Sequence, residues 1–326
     1  MLPRRLAVAC ALSTFALLVI GGTVNPTGSS LACPEPTLVC NGQLFPPMVG
    51  GVLYEHGHRL AAMTVGFLQL ILTFVLLRPR HRPLGLTRLA WLTLAMVLVQ
   101  GGLGAITVGY KLPWFVSTAH LLLGMSYFAT LVYVAYRARP APTVIELRDH
   151  QRGRDQLGSA RRWIGIAVGA VMVQLLLGAL VRHHGAALVC LGMPECTRDG
   201  TWLPANGVQQ LHMLHRGFGL VVAGVTIGAA IAVLRAARSW SLLRLHMFAA
   251  PVVVIAQVAL GIYTVQTVRS VPVAVGHFAG AAALWGLWVS AWILTGARAE
   301  ASAGAAGAST SAPEPGPGHL GLVGSS

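Results

Sequence analysis

The stretch LYEHGHRLAAMTVGFLQLILTFVLL, residues 53–77, decides the fold. From Leu60 to Leu77 it carries no charged side chain. A helix of roughly 20 mostly apolar residues is what spans the hydrocarbon core of a bilayer. The head of the stretch is its opposite: Glu55, His56, His58 and Arg59 crowd into five positions. Ionisable groups in a membrane span are costly enough that their presence signals function.

Outward from this stretch the pattern repeats. Apolar runs near 6–24, 52–77, 89–109, 114–136, 163–182, 209–234, 245–266 and 272–296 predict eight transmembrane helices. Composition agrees, because 55% hydrophobic and 10% charged residues in a chain of 326 is a combination soluble domains rarely show. The expected fold class is an all-α membrane protein. The first run follows Arg4 and Arg5, and SLAC at 30–33 resembles a lipoprotein cleavage site. The run is nevertheless expected to stay as a helix, since the duplication described below needs it.

The net charge of +14 could suggest nucleic acid, so its placement matters. With the N-terminus inside, 17 arginines fall on inner segments, and only Lys111, Arg182, Arg198 and Arg269 fall on outer ones. That asymmetry is the positive-inside rule, with both termini cytoplasmic. The basicity orients the chain, and no nucleic-acid partner is expected. Cys10 lies within the first helix as packing. Cys33 and Cys40 share the first outer loop, and Cys190 and Cys196 share the third. An oxidising outer compartment favours the disulfides Cys33–Cys40 and Cys190–Cys196, with free thiols or a metal site as the alternatives.

Shifted by 157 residues, the chain matches itself. His58-Arg59 falls on His215-Arg216, His120 on His277, Gln100 on Gln257, Gly104 on Gly261, Thr107 on Thr264, Gly21 on Gly178 and Cys33 on Cys190. Four helices per half give both halves the same orientation, as parallel repeats about an axis along the membrane normal. The expected organisation is an N-terminal four-helix bundle over 1–137, a basic cytoplasmic linker over 138–162, and a C-terminal four-helix bundle over 163–297. An Ala/Gly/Ser/Pro tail over 298–326 is expected to be disordered.

His58, His120, His215 and His277 each open a helix just after an outer loop, which puts two imidazoles per bundle at one depth. Facing imidazoles in a four-helix bundle make the axial pair of a haem iron. Glycines on neighbouring helices, Gly101, Gly102, Gly104, Gly109 and Gly261, can admit a flat macrocycle, or simply allow close helix packing. His81, His150, His183 and His184 are read as solvated loop residues, and His319 belongs to the tail. His246 has no copy, its counterpart being Leu89. Glu55 lies three residues before His58 on the same helix face, and its counterpart is His212. A buried carboxylate there can move protons. His56 points about 200° around the helix from His58 and is read as peripheral.

Together, the paired outer-loop cysteines, Glu55-x-x-His58-Arg59, His120, the second His215-Arg216 and His277 resemble the haem A synthase family over about residues 6–296. The resemblance implies haem b in the second half on His215 and His277. It implies haem O as substrate in the first half, around His58 and His120, with Glu55 as the catalytic acid. The implied reaction converts the C8 methyl of haem O to a formyl group by successive hydroxylations, giving haem A for terminal oxidases. Arg59 and Arg216, being duplicated, are assigned to haem propionates. The expected setting is a bacterial-type cell membrane, with the haem sites near its outer face and lipid around the spans. Expected partners are a haem O synthase and the terminal oxidase assembly machinery. The electron donor is not named by the sequence, and homo-oligomerisation is left open. His56-Gly57 departs from the bulky apolar pair frequent in relatives. The competing readings are a non-enzymatic dihaem cytochrome b, which leaves the contrast of Glu55 with His212 and the extra cysteines unexplained, and a transporter built on repeats, which leaves the four matched histidines unexplained.

Overall fold

A computed structural model of the chain describes residues 1–79, 85–139, 155–197, 199–237 and 240–309. Among them are eight helices long and apolar enough to cross a membrane. These are α1 Leu2–Val24, α2 Gly50–Leu76, α3 Leu86–Gly109, α4 Trp114–Arg137, α5 Ala160–His183, α6 Gly207–Ala236, α7 Ser241–Gln266 and α8 Val271–Ser309. The spans begin and end within four residues of the expected ones. Hydrocarbon offers no partner for a free backbone N–H or C=O, so a spanning segment has to be helical throughout. The molecule is a multi-pass, all-helical membrane protein.

Helices α1 to α4 pack in a closed ring, each against the next and α4 back against α1. Helices α5 to α8 do the same. The rings meet through α1, α4, α5 and α8. At that seam the Trp285 indole donates to the Met125 carbonyl at 3.0 Å, and Trp288 is fully buried. Within the first ring the Gln69 amide donates to Thr73 and Thr93 and accepts from the Tyr127 hydroxyl, at 2.8–2.9 Å. That buried network ties α2, α3 and α4 where apolar packing alone gives no directionality.

The connections also match in form. Between α3 and α4, Lys111 and Leu112 adopt positive φ, and the Leu112 N–H closes onto the Thr107 carbonyl at 2.7 Å. Between α7 and α8, Val268 and Arg269 do the same, with Arg269 N–H on the Thr264 carbonyl at 2.7 Å. Both outer-loop cysteine pairs are bonded, Cys33 to Cys40 and Cys190 to Cys196. Helix α8 runs on to Ser309 through an Ala-rich stretch, in keeping with alanine's high helix propensity. Residues 310–326 and most of the linker, 140–154, lie outside the described residues.

Candidate functional site

His58 is the ninth residue of α2 and His215 the ninth of α6; His120 and His277 are the seventh of α4 and α8. At about 1.5 Å of rise per residue, all four lie about 9–12 Å below the starts of their helices. Successive helices cross in alternating directions, so these four start on the same side. The histidines therefore share one depth.

In the second ring the His215 and His277 rings stand 6.4 Å apart and nearly perpendicular, at 88°. Two metal–nitrogen bonds of about 2 Å each, with about 1 Å from each nitrogen to its ring centre, sum to about 6 Å. The spacing thus fits one metal ion held between the imidazoles. His277 Nδ1 lies 3.1 Å from the Gln257 carbonyl, which fixes the proton on Nδ1 and leaves the Nε2 lone pair free. The Gln174 amide nitrogen stands 3.2 Å from His215 Nδ1 and 3.0 Å from the His215 carbonyl. Glycine makes room for each ring: a methyl group at Gly178 would meet His215 Cε1 at 3.1 Å, and one at Gly261 would meet His277 Cε1 at 3.3 Å.

The first ring repeats the scaffold with looser anchoring. A methyl at Gly21 would meet His58 Cε1 at 2.8 Å, and one at Gly104 would meet His120 Cε1 at 3.3 Å. The Gln100 amide donates to the His120 carbonyl at 2.9 Å. His58 Nδ1 and His120 Nδ1, however, are both buried with no hydrogen-bond partner among the described residues. Unpaired buried imidazole nitrogens are what ligands to an absent metal group look like. Of the glycines singled out in the sequence, Gly101 and Gly102 face open space, and Gly109 meets only Pro36. Gly21, Gly178 and Gln174 are the residues that sequence reasoning missed as parts of the pockets. The glycines were visible as a matched pair, whereas Gln174 falls opposite Leu17 and gave no signal.

Above each histidine pair an arginine fastens a disulfide loop. Arg59 donates to the carbonyls of Thr37, Val39 and Cys33 at 2.6–3.1 Å, and pairs with Glu55 at 2.6 Å. The other Glu55 oxygen accepts the Cys33 N–H at 2.9 Å. In the second half Arg216 donates to the carbonyls of Gly192, Glu195 and Cys190, and its Nε to His212 at 3.2 Å. Both arginines, expected at haem propionates, turn guanidinium N–H groups to loop carbonyls. The first loop is further braced at Glu35, whose carboxylate accepts the Asn41 and Gly42 N–H groups. Glu35 is held below the usual carboxylate range, first by its own backbone N–H and then by these bonds.

Other histidines also depart from the sequence reading. His56 does point away from His58, but it is buried beneath the first loop, with Nε2 3.1 Å from the Leu44 carbonyl. His183, read as solvated, is half-buried, with Nδ1 3.1 Å from the Thr118 hydroxyl; His184 is exposed as expected and lies against Trp114, ring centres 4.7 Å apart. Helix α5 extends through His183, which carries both onto the face of α4. His246 bonds to Ser290 at 3.0 Å. It lines a cavity of about 510 Å3 that contains none of the four pocket histidines. His81, His150 and His319 lie outside the described residues.

Eight spans, two imidazole pairs at one depth and two arginine-clamped disulfide loops define a multi-pass, all-helical membrane protein with two histidine pairs beneath its cysteine loops. Comparison with known proteins agrees. Residues 49–289 match the COX15-CtaA family, described as cytochrome oxidase assembly protein, and the chain belongs to this family, that of the haem A synthases. Among its relatives is the Heme A synthase of Bacillus licheniformis, 25% identical over 287 residues that cover 87% of this chain and 93% of the relative. Those of Symbiobacterium thermophilum (29%, covering 72% and 74%) and Caulobacter sp. (30%, covering 84% and 90%) are similar as well.

Proposed function

We propose that this chain is a haem A synthase, an oxidoreductase that converts the C8 methyl of haem O to a formyl group by successive hydroxylations. The observation that carries the reading is the contrast between the two imidazole pairs. His215 and His277 stand at a metal-bridging spacing, and the Gln257 carbonyl holds the His277 proton on Nδ1, which suits a permanently held haem b. His58 and His120 occupy matching places with both Nδ1 atoms unpartnered and only a 3.4 Å contact from the Gln100 amide to His120 Nε2, which suits a haem O that enters and a haem A that leaves. Bound haem b would supply one-electron chemistry; the chain's own residues position, enclose and gate.

In this reading the two rings are copies related by an axis along the membrane normal. The matched glycines, arginine clamps and left-handed connections support it. The excess of arginine on one side puts the termini in the cytoplasm and the pockets near the outer surface. Glu55 is the asymmetric element, joined to Arg59 and Cys33 where the second half has His212. As placed, it is a positioning residue that couples the first loop to α2 three residues before His58. The carboxylate role implied by the family requires that pair to open. Electrons for oxygen chemistry come from a quinol or another protein, haem O from a haem O synthase, and haem A passes to terminal oxidase assembly.

The test is the variant His215→Ala, purified and examined by optical spectroscopy. The low-spin haem b spectrum should disappear while the protein remains folded. A retained low-spin spectrum would contradict the assignment of the second pocket.

A further inference from the structure

Among the described residues, two arginines at the seam between the rings carry charge that no acid offsets. Arg182, in the last turn of α5, donates through Nη2 to the Gly21 carbonyl at 3.2 Å. Its guanidinium lies 5.4 Å from the centre of the Phe278 ring, and its Nε is buried without a partner. Arg269, in the connection before α8, stands near enough to interact electrostatically with Arg182. Its nearest polar partner is Asn25 Oδ1, at 3.5 Å. Neither arginine ion-pairs with a carboxylate among the described residues, in contrast to Arg59.

A buried guanidinium that has lost hydration and has a second guanidinium beside it pays a cost that an anion between them would offset. Carbonyls and an aromatic face compensate only in part. A guanidinium fork matches a carboxylate in geometry, since two parallel N–H groups meet two oxygens. The location names the anion. Gly21, whose carbonyl Arg182 holds, is the residue whose α-carbon packs on the His58 ring. Phe278, under the guanidinium, follows His277 in sequence.

Resting on the proposed function, we propose that Arg182, with Arg269 beside it, binds a propionate carboxylate of the iron porphyrin seated at His58. This takes over the role that the sequence suggested for Arg59. It also places a fixed positive charge between the two pockets. The specificity that follows is for a porphyrin with free carboxylates.

The test uses purified full-length protein that retains its haem b. Haem O and its dimethyl ester, in which the carboxylates are neutral, are titrated separately into wild type, Arg182→Gln and Arg269→Gln, with binding followed by optical difference spectra. Wild type should prefer the diacid by about tenfold or more, the scale of a hydrogen bond between charged groups. Arg182→Gln should reduce that preference to about threefold or less by weakening the diacid and leaving the ester unchanged; Arg269→Gln should reduce it less. An unaltered haem b spectrum in each variant shows that the fold and the second pocket persist. Equal weakening of both ligands by Arg182→Gln, or an unreduced preference, would overturn the proposal. Equal affinity of wild type for both ligands would overturn it while leaving the proposed function standing. Failure of wild type to bind either ligand would overturn both.

Discussion

At the residue scale, Glu55 and His212 occupy corresponding places and make corresponding bonds with different chemistry. Each meets the arginine four residues on, and that arginine fastens a disulfide loop. Only Glu55 also accepts a backbone N–H from the loop, and only Glu55 brings negative charge. Removing a partner from a buried pair strands its mate, at a cost of about 3–5 kcal/mol, so Glu55→Ala confounds loop and chemistry. Glu55→Gln separates them, because the amide oxygen can still accept from Cys33 N–H. We predict that Glu55→Gln keeps the Cys33–Cys40 disulfide and the haem b spectrum but forms no haem A. Full haem A formation by this variant would show that the carboxylate serves as a clamp alone. Glu55 was legible as asymmetric from sequence, and its bond to the loop was not. A span read in one dimension does not show which backbone groups of a preceding loop fold back over it.

At the element scale, the pockets depend on how closely α1 approaches α2 and α5 approaches α6. Gly21 and Gly178 permit that approach, and a methyl group at either would press on a pocket histidine at 2.8 or 3.1 Å. Overpacking of this kind costs about 1–3 kcal/mol, and here the cost falls on the ligand geometry. Gly178→Ala should therefore lower haem b per protein, measured by extracted pigment. Gly169→Ala, on the same helix with open space at its α-carbon, should leave it unchanged. Equal haem content in the two variants would contradict the pocket as drawn. The helices themselves were legible to within a few residues because bilayer thickness fixes their length. The error came at an end. Stopping the fifth span at residue 182 left His183 in solvent, whereas one more residue of helix carries it onto Thr118.

At the scale of the whole molecule, the sequence's self-match at a shift of 157 made the candidate site readable. One histidine in a span says little, but four in register at one spacing point to two candidate pockets. Features without a copy stayed hidden. Gln174 answers to a leucine, and Arg182 lies opposite Asn25, so self-comparison passed over both. The seam where the halves meet belongs to neither copy, and it is there that the structure adds most. It joins α1, α4, α5 and α8, carries the Trp285–Met125 bond, and sets Arg182 between the two imidazole pairs. The central claim is that one half keeps a haem while the other transforms one. Its most direct measurement is the pigment extracted from the purified protein after expression in cells that make haem O but no haem A. The account predicts haem b together with haem A or residual haem O, and haem A in the cells. Haem b alone, with no haem A formed, would contradict it and leave a dihaem electron carrier in its place.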